Sequence, residues 1–256
     1  MVDIGLLGLG KIFGTKGQAN NVFEDINLQV LKGEIIAVRG DNGSGKTTLL
    51  NIIAGIEFPT KGEVIFTMAG EKQPRIGYVQ QDYTSSLLPW FDVMENIAIP
   101  LRINGVSKPK RCDRVKGLLD SLGFNLPEFG YPHELSGGQK QKVAVARSLI
   151  HEPHLLILDE PFANLDAHTS RELEQSLSRI HQKTRPTVLY VSHDLDHCIY
   201  LADRVLLLDG HPSRFVAEFQ VSLPRPRTRE MIFSPRYSEV RSCILAKEEK
   251  LYARNS

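Results

Sequence analysis

Residues 39–48 read Arg-Gly-Asp-Asn-Gly-Ser-Gly-Lys-Thr-Thr, and no other stretch restricts the fold of the chain as strongly. Before it stands Ile35-Ile36-Ala37-Val38, a short β-branched run that reads as a buried strand; after it comes Leu49-Leu50-Asn51-Ile52-Ile53-Ala54, a helical pattern. Strand, glycine loop and helix together satisfy the spacing G-x-x-x-x-G-K-[ST]. Its glycines let backbone N–H groups turn toward phosphate oxygens, and the helix N-terminus adds its positive dipole. Gly40, Asn42, Gly43, Ser44 and Gly45 would form the cradle, and Lys46 would reach the β- and γ-phosphates. Thr47 would offer its hydroxyl to Mg²⁺, with Thr48 beside it at the helix start. The chain is therefore expected to bind a nucleoside triphosphate.

Strand-like runs recur at Leu155 to Leu158, Val188 to Val191 and Val205 to Leu208. They alternate with helical stretches such as Ser170 to Lys183, where Leu173, Leu177 and Ile180 share one face. This is an α/β pattern with a largely parallel sheet. Between Asp82 and Ile150 the strand signal lapses, and Arg114 to Leu122 and Gln139 to Ile150 read as helices set off by turn signals at Pro109, Gly123 and Pro127. After Gly210 the chain turns proline- and arginine-rich and ends in a polar helical stretch.

Thirty-one basic against thirty acidic residues leave no electrostatic footprint for wholesale nucleic-acid binding, so no nucleic acid partner is expected. Cys112, Cys198 and Cys243 lack C-x-x-C spacing and read as reduced thiols. The N-terminus has an acid where a signal peptide has basic residues, and no apolar run approaches the ~20 residues that span a bilayer.

Two further constellations bear on chemistry. Leu155-Leu156-Ile157-Leu158-Asp159-Glu160 is an apolar run ending in two acids, and a central strand would deliver Asp159 to the sheet end where such folds bind ligands. There Asp159 can hold Mg²⁺ and Glu160 can polarise an attacking water; two acids that merely end a buried strand are the plainer alternative. In Leu135-Ser136-Gly137-Gly138-Gln139, Ser136 can cap a helix whose bare N–H groups at Gly137 and Gly138 make a second anion site. One triphosphate per chain needs no second site.

LSGGQ, 20 residues before the LLILDE run and followed downstream by Val191-Ser192-His193-Asp194, resembles the signature of the ATP-binding cassette ATPases. The resemblance covers nearly the whole chain. It implies a P-loop NTPase core with a mostly parallel sheet, an antiparallel β subdomain and a helical subdomain inserted at about 84–150, making an ATPase domain over 1–210 with a short extension at 211–256. It also implies a head-to-tail homodimer or paired cassette around two ATP molecules, in which the signature of one subunit meets the γ-phosphate held by the other. Phe13 then matches the aromatic that stacks on adenine, and Gln81 the glutamine that touches Mg²⁺ and water, with Gln80 an alternative register. Asp166 matches the loop that crosses the dimer interface, and His193 the histidine that bonds the γ-phosphate. His193 and His197 also have the i, i+4 spacing of metal ligands, but no third ligand joins the pattern. Asp41, Asn164, Lys140 and Lys142 depart from the family's usual residues without removing a catalytic group.

Leu87-Leu88-Pro89-Trp90 follows Gln81 where such cassettes meet a permease's coupling helix; with Ser222-Leu223-Pro224-Arg225-Pro226-Arg227 it resembles the nitrate/sulfonate/taurine importer branch. That branch implies transmembrane permease subunits, an extracytoplasmic solute-binding protein, a peripheral place on the cytoplasmic face of the membrane, and a small solute. Without the resemblance, Leu87, Leu88 and Trp90 are core or a small exposed patch, and the tail is a solvated segment. A soluble cassette ATPase of cluster assembly, repair or ribosome function is the alternative; a P-loop kinase leaves LSGGQ unexplained.

Overall fold

The computed structural model describes residues 2–14, 19–67 and 74–255. In chain order they form β1 (Val2–Phe13), β2 (Asn20–Leu31), β3 (Ile35–Arg39), α1 (Lys46–Ile53), β4 (Lys61–Phe66), β5 (Ile76–Val79), α2 (Tyr83–Ser86), α3 (Val93–Ile103) and α4 (Lys108–Leu122). They continue as α5 (Gly137–Leu149), β6 (Leu155–Asp159), α6 (Ala167–Thr184), β7 (Thr187–Val191), α7 (Leu195–Leu201), β8 (Arg204–Gly210), β9 (Ser213–Gln220) and α8 (Pro235–Asn255). The chain divides into two compact units, Met1–Glu71 with Leu189–Ser256, and Lys72–Val188. Among the described residues no helix is long and apolar enough to cross a membrane.

In the first unit β1 runs antiparallel to both β2 and β4. Along β2 the buried positions are Phe23, then Ile26, Leu28 and Val30, so the period of two slips by one residue. The slip coincides with Asp25, at φ 51°, and with a shift in the β1–β2 register between Lys11↔Phe23 and Leu9↔Ile26. It is a bulge, and it keeps both halves of the strand facing the core. β3 is apolar and buried from Ile35 to Val38, ends in Arg39 just before the glycine loop, and lies parallel to β8. β8 turns back into β9 as an antiparallel pair, a strand that the sequence pattern beyond Gly210 does not announce.

The tail after β9 is not the solvated segment that its prolines and arginines suggest. Arg227 is 5% exposed and donates to the carbonyls of Ile199, Tyr200 and Ala202 at the end of α7. Arg225 donates to Leu201 O and to the Asp203 carboxylate. A helix end leaves carbonyls without intrahelical partners, and cations are favoured there. The tail thus caps α7, and α8 then packs on α7 and β9.

In the second unit β5 and β6 pair in parallel, and α5 packs on β5, α2 and α3. The approach of α5 to β5 is close, since a Cβ on Gly77 would lie 2.2 Å from Ser148 O. Helix α4 begins at Lys108, so Pro109, read from sequence as a turn signal, sits inside its first turn. Proline is tolerated there because the first helical N–H groups have no intrahelical acceptor. Asn96, 1% exposed on α3, donates to the carbonyls of Leu88, Phe91 and Asp92 and accepts from Leu88 N, which pins the loop carrying Pro89 and Trp90.

Candidate nucleotide site

The glycine loop and His193 belong to the first unit. Gly40 has no room for a side chain, because a Cβ would stand 2.3 Å from Leu208 O of β8. Gly43 and Gly45 take φ of 83° and 86°, and a Cβ on Gly45 would meet Val22 Cγ1 at 2.4 Å. The loop is thus seated on β8 and β2 before any ligand is considered. Helix α1 opens at Lys46 with no side-chain cap, leaving its first N–H groups to face an anion. Lys46 folds back, its Nζ donating to Gly40 O at 2.9 Å and Asp41 O at 2.7 Å. Ser44 Oγ is buried and has no hydrogen-bond partner among the described residues, an orphan that a phosphate oxygen would satisfy. Asn42 and Thr47 are exposed and Thr48 is half-buried.

Phe13 ends β1 with its side chain exposed, and Lys11 Nζ lies 4.5 Å from the ring centroid. The same ammonium is held by Glu57 at 2.7 Å and Phe58 O at 2.8 Å. His193 is exposed just after β7, and its carbonyl accepts from Arg39. Asp194 caps α7, accepting from Asp196 N at 2.8 Å, and His197 Nε2 lies 3.7 Å from Asp194 Oδ2.

The second unit carries the other residues. Asp159 ends β6 at 2% exposure, and Glu160 follows at φ 50°, a left-handed conformation uncommon for a side chain of this size. Burial, and then the Asp159 charge, push the Tyr78 phenol above its ordinary range. Gln80 and Gln81 are both exposed just beyond β5. Ser136 caps α5 as read from sequence: Gln139 N donates to Ser136 Oγ at 3.3 Å, and Ser136 N donates to Gln139 Oε1 at 2.9 Å. Leu135 is buried beneath this turn, while Gly137 is exposed. Gly138 has a packing role as well, since a Cβ would come within 2.6 Å of Thr169 Cγ2 on α6.

Asp166 caps α6, accepting from Thr169 Oγ1 at 2.7 Å and from the N–H groups of His168 and Thr169. The Thr169 hydroxyl, then these backbone donors, hold its carboxyl below the usual range. Asn164 adopts φ 61°, which asparagine tolerates better than most residues and which accounts for its place in the loop. Of the apolar trio, Trp90 is 66% exposed, Leu88 half-buried, and Leu87 buried at 3%.

Three residues that the sequence reading passed over link parts of the site, each within a single unit. Gln141, buried on α5, donates to Pro161 O at 2.9 Å and so links the LSGGQ helix to the turn after Glu160. Arg147, on the same helix, donates to Ser86 O and Oγ at 2.7 Å, reaching the loop that carries Leu87 and Trp90. Arg39 holds the His193 carbonyl. None has a local motif, because each acts across a tertiary contact.

The family model for ABC transporters matches residues 23–163, a span that contains the glycine loop, LSGGQ, Asp159 and Glu160. The chain is 38% identical over 238 residues to the nitrate import ATP-binding protein of Synechococcus elongatus, covering 91% of this chain and 87% of that one. It is 36% identical over 255 residues to an aliphatic sulfonates import ATP-binding protein of Bacillus cereus, covering 97% of both. Among solved structures, a dimeric post-hydrolysis ATP-binding cassette bound to ADP and Pi superposes with a TM-score of 0.75 at 28% identity, covering 86% of this chain and all of that one. The chain belongs to the ABC transporter family and is one of its ATP-hydrolysing cassettes.

Proposed function

We propose that this chain is the ATP-hydrolysing subunit of an importer, working as a head-to-tail dimer at the cytoplasmic face of a membrane and driving a permease for a small anion such as nitrate or an aliphatic sulfonate. One observation carries the dimer: the chain has two helix N-termini fit for phosphate, α1 after the glycine loop and α5 after LSGGQ, where one triphosphate needs a single cradle. In a two-fold pair each surface supplies both halves of a composite site. The solute class is supported by the relatives named for nitrate and sulfonate import, which match over most of the chain. A solute-binding protein on the far side of the membrane would complete the system.

Within this reading Phe13 stacks on the base and the loop N–H groups hold the phosphates. Lys46 exchanges the Gly40 and Asp41 carbonyls for anionic oxygens, which make stronger, charge-assisted bonds. Thr47, Gln81 and Asp159 are oxygen donors that fit Mg²⁺, which when bound offsets charge on the β- and γ-phosphates. Glu160 polarises the attacking water, His193 bonds the γ-phosphate, and Asp166 and LSGGQ act across the interface.

The dimer is tested by crosslinking. With Cys112 and Cys243 replaced by Ser, a Ser44→Cys chain and a differently tagged Ser136→Cys chain are expected to join between subunits in an ATP-dependent manner. Links that form only within a Ser44→Cys, Ser136→Cys double variant chain would rule out the sandwich.

Permease coupling is tested at Trp90, whose exposed ring offers the kind of large apolar anchor that dominates binding at interfaces. Deleting the gene is expected to abolish uptake of labelled nitrate or an alkanesulfonate, and the wild-type chain to restore it. Trp90→Ala should hydrolyse ATP normally, copurify poorly with the permease, and fail to restore uptake. Normal uptake of all these solutes in the deletion strain would overturn the importer assignment; full rescue by Trp90→Ala would remove Trp90 from the contact.

A further inference from the structure

Helix α8 lies outside the glycine-loop motif, yet Glu248 ties it to Arg39 at the base of the loop and, through Arg39, to the backbone of His193 beyond β7. Arg39 ends β3 and precedes Gly40, and its Nε donates to Glu248 Oε1 of α8 at 2.5 Å, with Nη2 to Oε2 at 3.3 Å. The side chains are 17% and 13% exposed, so water screens this pair far less than a surface ion pair. From the same guanidinium, Nη1 donates to the His193 carbonyl. One planar cation therefore bridges the carboxylate of α8 and the backbone of the histidine expected to bond the γ-phosphate. Earlier along α8, Tyr237 Oη and Arg241 Nε donate to Asp196 Oδ1 of α7 at 2.8 and 3.1 Å. Gly40 and Asp41 of the loop line a small cavity together with Glu248 and Leu251.

We infer that Arg39 and Glu248 are a positioning pair for His193, through which the seating of α8 within the first unit sets the rate of ATP turnover. The inference rests on the reading of His193 as the γ-phosphate contact. A guanidinium can serve a carboxylate and a carbonyl at once because its donors point in fixed, divergent directions; an ammonium on a flexible stem cannot hold both in one plane. Without the carboxylate, Arg39 loses the anchor that aims Nη1 at the His193 carbonyl, and His193 spends less time where a γ-phosphate would meet it. The glycine loop, Ser44 and Lys46 are untouched, so nucleotide binding is preserved.

The test is steady-state ATP hydrolysis by the full chain. Glu248→Ala and the isosteric Glu248→Gln are expected to lower kcat about 10- to 100-fold with KM within about twofold, the size of one lost charge-assisted bond. Arg39→Lys should behave like Glu248→Gln. If Glu248→Ala fails to fold, Glu248→Gln carries the test, because it keeps the shape. In a double-mutant cycle, His193→Ala with Glu248→Gln should turn over no more slowly than His193→Ala alone, since the pair acts only through that histidine. Wild-type kcat in Glu248→Gln beside an impaired His193→Ala overturns the positioning pair and leaves the role of His193 standing. Multiplicative losses in the double variant, or a raised KM at unchanged kcat, also overturn it. Wild-type turnover in His193→Ala overturns the reading of His193 itself.

Discussion

Glu160→Gln is expected to bind ATP with wild-type affinity and to lose turnover by about 10²- to 10⁴-fold, the range typical of removing a general base. The exchange replaces one carboxylate oxygen by an amide nitrogen and leaves the volume almost unchanged, so the turn after β6 keeps its packing. Binding should persist because, on the proposed reading, the phosphates would be held by the loop amides, Ser44 and Lys46, none of which the substitution touches. What disappears is a group that can polarise water and accept its proton. ATP-bound dimer should accumulate, visible as a nucleotide-dependent shift in sedimentation. A second substitution separates chemistry from conformation. Glu160 sits at φ 50°, where a non-glycine residue is strained, so Glu160→Gly should lose turnover equally while relief of that strain offsets part of the stability lost with the side chain. Turnover within threefold of wild type in Glu160→Gln would remove the residue from water activation, and weakened ATP binding would reassign it to holding nucleotide.

How far the sequence foretold this structure depends on how local each determinant is. The glycine loop was legible because its spacing encodes backbone geometry: Gly40 abuts Leu208 O, and Gly43 and Gly45 need positive φ. β3 and β6 were legible as unbroken apolar runs, and the Ser136 cap because both partners of a capping box lie within four residues. β9 was missed because only Ser213 is buried along it, so no alternation of apolar and polar residues marks the strand. β2 was obscured by the bulge at Asp25, which interrupts its period. In Leu87-Leu88-Pro89-Trp90 the composition suggests one apolar patch, but the Asn96 hydrogen bonds set a loop that buries Leu87 and exposes Trp90. Arg39 and Glu248 stand 209 residues apart, so their pairing exists only in the folded chain.

The same lesson gives the second large effect, at Arg227. Its Nη1 lies 2.8 Å from Ile199 O, 3.3 Å from Tyr200 O and 2.5 Å from Ala202 O, and Nη2 lies 3.1 Å from Val221 O. The first three acceptors crowd the carboxyl end of α7, where helix geometry leaves carbonyls unpaired and the dipole is negative. Arg227→Met fills much of the same volume and supplies no donor, stranding these carbonyls where water cannot reach them. At about 1 kcal/mol or more for each unsatisfied group, the loss should come to about 3 kcal/mol. Arg227→Lys should recover only part of it, because one compact ammonium cannot address carbonyls on both sides of a planar fork. Urea unfolding would read this as a lower midpoint at unchanged slope, and amide exchange should quicken first in α7. A loss under about 0.5 kcal/mol would mean that the tail merely lies on α7 and that the helix end is satisfied by other means. Because α7 begins two residues after His193, a frayed α7 should also slow ATP turnover in Arg227→Met, which would make a proline- and arginine-rich tail part of the support for the histidine proposed to bond the γ-phosphate.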